Sequence, residues 1–221
     1  MDPAADETKK LEIIDQLVWN DSVNASNIHV TVEGNLAILE GSVPSYTEKL
    51  TAEREAFLVP GITHVDNLLE VEFPPEVGLP GDDEIAANVK SKLLWNDQLN
   101  ADGILVDCID GVVALTGTVD SFWEKNLAED IAISSTGVIR VDNRLKVIPK
   151  MSAIDIEVEE DIRKAFQRSA LVDDNAVRVS VNNGMAHLSG NVPFYAMKRE
   201  ALNIAAFTTG VVDVVDEISV G

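Results

Sequence analysis

Gly41, Gly117 and Gly190 are separated by 76 and then 73 residues, and Gly61, Gly137 and Gly210 repeat the same two steps. Two motifs that share one pair of offsets mean that a single unit has been copied. No other feature constrains the fold as strongly. The segments leading into the first glycines have equal length: IHVTVEGNLAILEGSV (Ile28–Val43), ILVDCIDGVVALTGTV (Ile104–Val119) and VRVSVNNGMAHLSGNV (Val177–Val192). The segments that begin at the second glycines also match: GITHVDNLLEV, GVIRVDNRLKV and GVVDVVDEISV. The chain therefore divides into three expected modules, residues 1–75, 76–150 and 151–221, with linkers where Pro and Gly cluster at Pro74–Gly81 and around Pro149.

Each copy spells the same series of elements. A first helix is expected from apolar residues at helical spacing: Leu11, Ile14, Leu17 and Val18, then Ile85, Val89 and Leu93, then Val158, Ile162 and Phe166. Asp and Glu crowd the helix starts, where the macrodipole favours them. A strand follows in which Ile28, Val30 and Val32 alternate with polar residues, as do Ile104, Val106 and Cys108, and Val177, Val179 and Val181. The pairs Gly34-Asn35, Asp110-Gly111 and Asn183-Gly184 suit a two-residue hairpin turn. On the return strand Ala37, Leu39, Gly41 and Val43 share a face, and their counterparts do the same.

A second helix is expected near Tyr46–Leu58, Phe122–Ser134 and Tyr195–Phe207. Its buried stripe is small: Ala52 and Ala56, Ala128 and Ala132, Ala201 and Ala205. Such a stripe facing an inward glycine of the return strand would bring helix and sheet close together. The glycines Gly61, Gly137 and Gly210 are expected at or near the helix C′ position. A third strand closes the unit through Val65, Leu69 and Val71 and their equivalents. The result is an α+β fold: three tandem αββαβ modules, each with two helices on a three-stranded mixed sheet. A module of this size buries a modest core, so docking between modules is expected to add stability. The apolar outward strand residues Leu36, Ile38, Val112 and Met185 are expected to take part.

This combination resembles the BON domain, named for bacterial OsmY and nodulation proteins and also called the transport-associated and nodulation domain. The resemblance covers residues 6–73, 83–149 and 154–220, and rests on Gly41, Val43, Ala52, Ala56, Gly61 and Val65 with their two sets of counterparts. Asn67 and Asn143 fit the family's closing strand, whereas Asp216 replaces Asn in the third copy. Trp19-Asn20 recurs as Trp95-Asn96, but the third copy has Arg168-Ser169. The resemblance implies a bacterial protein of osmotic or envelope stress that binds phospholipid or assists other proteins. It also implies potassium binding in some related domains and a periplasmic location for many members.

Charge sets a boundary on partners. With 17 Lys and Arg against 38 Asp and Glu, the net charge is −21. The three modules carry −10, −6 and −5, so the acidity is no tail. Such a surface repels nucleic acid and anionic lipid at long range, and any lipid contact has to be local. The single cysteine, Cys108, permits no intramolecular disulfide. It occupies the inward slot of Val32 and Val181 and is expected to act as a small buried hydrophobe. The N-terminus opens with acids and has no apolar core of the secretory type, which predicts a cytoplasmic chain, or a periplasmic one if a signal has been removed.

No reactive constellation emerges. His29, His64 and His187 fall at three different repeat positions with no ligand spacing. Ser45 and Ser121 have no paired histidine in register, and no phosphate or calcium loop is present. The expectation is a non-enzymatic protein without cofactor or metal. The aromatics remain as a candidate binding surface: Trp19 and Trp95 at the ends of first helices, and Tyr46, Phe122, Trp123, Phe194 and Tyr195 where second helices begin. They suit packing between modules or an anchor for lipid or protein. A phospholipid or membrane surface, or a macromolecular partner such as a protein, is the expected ligand. A chaperone-like or scaffolding role through sheet edges, and cation sensing, are the alternatives.

Overall fold

The computed structural model describes residues 3–74, 78–149 and 154–221, so parts of both expected linkers lie outside the described residues. The first module contains α1 (Pro3–Trp19), β1 (Ile28–Glu33), β2 (Leu36–Val43), α2 (Tyr46–Phe57), β3 (His64–Asn67) and β4 (Glu70–Val71). The second contains α3 (Asp82–Trp95), β5 (Ile104–Ile109), β6 (Val112–Val119), α4 (Phe122–Ile133), β7 (Arg140–Asn143) and β8 (Lys146–Val147). The third contains α5 (Asp155–Arg168), β9 (Val177–Asn182), β10 (Met185–Val192), α6 (Tyr195–Ala206) and β11 (Asp213–Val220).

The return strand is central in each sheet. β2 pairs antiparallel with β1 and parallel with β3 and β4. The parallel partner needs a crossover, which α2 supplies. β3 and β4 form one strand line with a short interruption, across which the Leu68 N–H still donates to the Leu39 carbonyl at 2.8 Å. The second module repeats this pattern, and in the third β11 runs unbroken beside β10. The three sheets are separate, and each has its own core cluster. Ala52, Ala56, Ala128, Ala132, Ala201 and Ala205 are all fully buried, as the small-residue stripe predicts.

The expected face of α1 needs correction. Leu11 and Val18 are exposed, and the inward residues are Ile13 and Leu17, with Ile14 beside them. Repeat register explains this, because Ile85, Val89 and Leu93 correspond to Lys9, Ile13 and Leu17. Lys9 occupies an inward position and its ammonium donates to the carbonyls of Gly34 (2.6 Å) and Gly61 (3.4 Å). A lysine stem lying along the core hides the true stripe from a reading that follows apolar residues alone.

The glycine of the return strand also has a different job. A Cβ on Gly41, Gly117 or Gly190 would lie 1.9 to 2.0 Å from the carbonyl oxygen of Asn27, Gly103 or Ala176. The obstacle is the backbone entering the preceding strand, not the second helix. Backbone φ is +110° at Gly41 and Gly117, so the position bends the strand in a conformation that favours glycine. Gly61 is likewise not at C′: the helix C-cap is Leu58, and the glycine sits three residues later in the turn to β3.

A tie invisible to periodicity joins each first helix to its hairpin. The Asp82 carboxylate accepts from the Asp110 and Gly111 N–H groups, both at 2.9 Å. Asp155 does the same for Asn183 and Gly184, and Asp6 accepts from Gly34. These acids follow the repeat steps of 76 and 73. They are more than dipole partners, because they satisfy the amide donors of turns with positive φ at Asp110 and Asn183.

Candidate interaction surface

The structure divides the seven candidate aromatics into two groups. Trp19 and Trp95 stand free, 85% and 90% exposed. Each indole follows the inward Leu17 or Leu93 by two positions, about 200° around the helix, so it points away from the core. Val18 (65% exposed) and Leu94 (53%) flank them. The helix stops at once after each indole. The Asn20 carbonyl oxygen of the side chain accepts from the Ser22 N–H at 2.9 Å, and that of Asn96 accepts from the Gln98 N–H at 3.0 Å. These Asx turns hold the chain off the helix axis and leave the indole at a capped helix end. Asn20 also donates to Glu55 at 2.9 Å, which pins the end of α1 to α2.

The other aromatics lie at joints between modules. Tyr46, at the start of α2, packs against the second module's core, and Thr47 donates to the Ile133 carbonyl at the end of α4 (3.3 Å). Burial, reinforced by the carboxylates of Glu129 and Glu53, raises the Tyr46 phenol above its ordinary pKa. Phe122, at the start of α4, packs against the third core, while Trp123 meets Phe207 just beyond α6 with ring centres 6.3 Å apart. Tyr195, at the start of α6, stacks on Phe57 at the end of α2, with ring centres 4.4 Å apart and planes 11° from parallel. Phe194 forms the exposed rim of that joint.

Each joint sets the start of one second helix against the end of another: α2 on α4, α4 on α6, and α6 on α2. The cycle closes, and the modules form a pseudo-threefold ring. Docking therefore runs through the second helices rather than through the expected outward positions Leu36, Ile38, Val112 and Met185, which stay partly exposed on their strands.

The remaining polar candidates have local work. Ser45 and Ser121 are helix N-caps, accepting from the N–H groups of Glu48 and Glu124. His64 is exposed and its ring contacts only the neighbouring Thr63 hydroxyl among the described residues. Among those residues no group of three or more His, Cys, Asp or Glu is placed to hold a metal ion. No helix among them is long and apolar enough to cross a membrane.

Cys108 is half-buried and donates to Asp82 at 3.4 Å. Burial first, and then the Asp82 carboxylate, push its thiol from 9.0 up to about 11. Because the thiolate is the reacting species, iodoacetamide should label the native protein at pH 8 on the order of 100-fold more slowly than the urea-unfolded chain. Asp82→Asn should recover part of the lost rate. Equal rates for the native and unfolded chains would rule out this environment for the thiol.

The fold defines a tandem array of three α+β modules. The BON domain model matches residues 5–72, 81–149 and 155–221, and the chain belongs to that family. Osmotically-inducible protein Y of Escherichia coli (strain K12) is 35% identical over 133 residues, which is 59% of this chain. The match spans 66% of that relative, just under two thirds of its length. Among solved structures, two of CdsD, a structural protein of the type III secretion system of Chlamydia trachomatis, align at 15% and 16% identity. They cover 94% and 96% of this chain, and 95% and 91% of theirs, with TM-scores of 0.28, too low to carry a conclusion.

Proposed function

We propose that this chain is a non-catalytic osmotic-stress protein that attaches to phospholipid surfaces through Trp19 and Trp95. The carrying observation is the pair of indoles at one repeat position, 85% and 90% exposed, each beside an exposed aliphatic residue. An indole is suited to the boundary between headgroup and acyl chain, where its ring is covered and its N–H stays hydrated. The similarity to osmotically-inducible protein Y supports the stress assignment. Charge shapes the lipid preference. At −21 the chain is repelled by anionic membranes, so attachment rests on apolar insertion and favours zwitterionic lipid. Salt should strengthen binding to anionic vesicles by screening.

Co-sedimentation with phosphatidylcholine vesicles tests the reading. Burying a large side chain contributes about 1.5–3 kcal/mol, so each Trp→Ser change should weaken binding roughly tenfold or more. Arg168→Trp, which completes the set in the third module, should strengthen it. The reading fails if the wild-type chain sediments with neither phosphatidylcholine nor phosphatidylglycerol vesicles at low or physiological salt, or if W19S/W95S binds as well as wild type.

A further inference from the structure

We propose that the cavity at the joint between the second and third modules is a binding site for a quaternary ammonium group. The cavity holds about 370 Å3 between α4 and α6, within the range of about 300–1,000 Å3 common to small-molecule pockets. Trp123 and Phe207 both line it, and their planes are 43° apart, so the rings make a corner and not a stack. Leu127 and Ile133 extend the apolar lining, and Glu129 and Asp130 supply two carboxylates. Among the described residues no lysine or arginine lines the cavity.

The two carboxylates differ. Glu129 accepts from the Asn143 amide at 2.9 Å. Asp130 has no hydrogen-bond or ion-pair partner among the described residues. Burial first, and then the Glu129 carboxylate, hold its carboxyl above the ordinary range. A carboxylate without a partner favours a cation, and the rings select which kind. An aromatic face attracts a cation through its quadrupole, and quaternary ammonium is the group that aromatic pockets characteristically take. Its methyl shell also suits Leu127 and Ile133. A small metal ion would need oxygen ligands to replace its water. Among the described residues no group of three or more His, Cys, Asp or Glu is placed to supply them.

The other two joints lack this combination. Trp123 and Phe207 correspond to Thr47 and Ser134 at the joint of the first and second modules. They correspond to Ala196 and Leu58 at the joint of the third and first. Asp130 corresponds to Arg54 in the first copy and Asn203 in the third. Aromatic pair and carboxylate therefore occur together at one joint only, and docking of the modules does not by itself require them.

The test uses the full chain carrying Trp19→Phe and Trp95→Phe, which leaves Trp123 as the one indole of three. Titration with tetramethylammonium chloride, at an ionic strength fixed with sodium chloride, should change its emission saturably, with half-saturation at about 1–10 mM. Asp130→Asn in that background should raise the half-saturation point roughly tenfold, and Phe207→Leu should raise it severalfold. Both new residues already stand at the same repeat position in another copy, as Asn203 and Leu58, so the fold is not at risk. Choline and phosphatidylcholine vesicles then separate two sources of the group. Choline binding with unchanged vesicle co-sedimentation of D130N assigns the site to a free solute. Weaker co-sedimentation of D130N, with Trp19 and Trp95 intact, assigns it to a lipid headgroup. Sodium, potassium or ammonium chloride reproducing the emission change overturns the proposal. So does the absence of any saturable response, or wild-type affinity in both D130N and F207L. Such a failure leaves attachment through Trp19 and Trp95 standing, because neither indole is present in the titrated protein.

Discussion

Gly117→Ala should unfold the second module. The new methyl would lie 2.0 Å from the Gly103 carbonyl oxygen, and φ at this position is +110°. Neither atom can retreat cheaply, because Ile104 and Gly117 face each other across the β5–β6 ladder. Backbone strain of this kind costs about 1–3 kcal/mol, and displacing a paired strand adds to it. We expect a loss of at least about 3 kcal/mol, against a total of only about 3–10 kcal/mol for a module of this size. The melting transition of the module should fall by more than about 10 °C, followed by circular dichroism and by the fluorescence of Trp123, which packs against Phe207. Gly34→Ala is the control. It also has positive φ, but nothing lies within 4 Å of the added carbon, so it should cost about 1 kcal/mol. Equal melting of G117A and wild type would refute the assigned role of this glycine.

Phe166→Ala should do comparable damage to the third module by a different route. Phe166 is 1% exposed and fills the position held by Leu17 and Leu93 in the other copies. Removing a buried phenyl ring costs about 3–5 kcal/mol, which combines lost transfer energy with the cavity left behind. Phe122 of the second module packs on the same cluster, so the joint between those modules should weaken as well. The expected result is a urea titration in two steps. The first, at low urea, reports the third module, and the second reports the others near their wild-type midpoint. A single transition at the wild-type midpoint would mean that the third core does not depend on this side chain.

Much of the module is legible in the residue pattern. The alternation of Val30, Val32, Ala37 and Leu39 places the sheet face, and all four are buried. The alanine stripe places the second helix correctly. Periodicity succeeds here because a strand or helix face is set by residues two to four positions apart. It misleads where a contact spans elements. Lys9 has the pattern of a surface residue because its partners, the Gly34 and Gly61 carbonyls, are 25 and 52 residues away. Gly41 has the pattern of a spacer for the helix, whereas its true neighbour is the carbonyl of Asn27. The Asp82 tie to the hairpin escapes periodicity altogether, although the matching offsets to Asp6 and Asp155 are a signal that could have revealed it.

The aromatics mark the boundary most sharply. The amino-acid sequence determined that this chain makes one αββαβ module three times, which side of most elements faces inward, and that large aromatics gather at helix ends. It did not determine which of them meet water. Trp19 and Tyr195 are both aromatics at helix termini, yet one is free and the other is stacked on Phe57, 138 positions earlier in the chain. Only the ring of modules decided that, because exposure depends on which distant surface arrives, and the arrangement of three docked bodies has no periodicity along the chain.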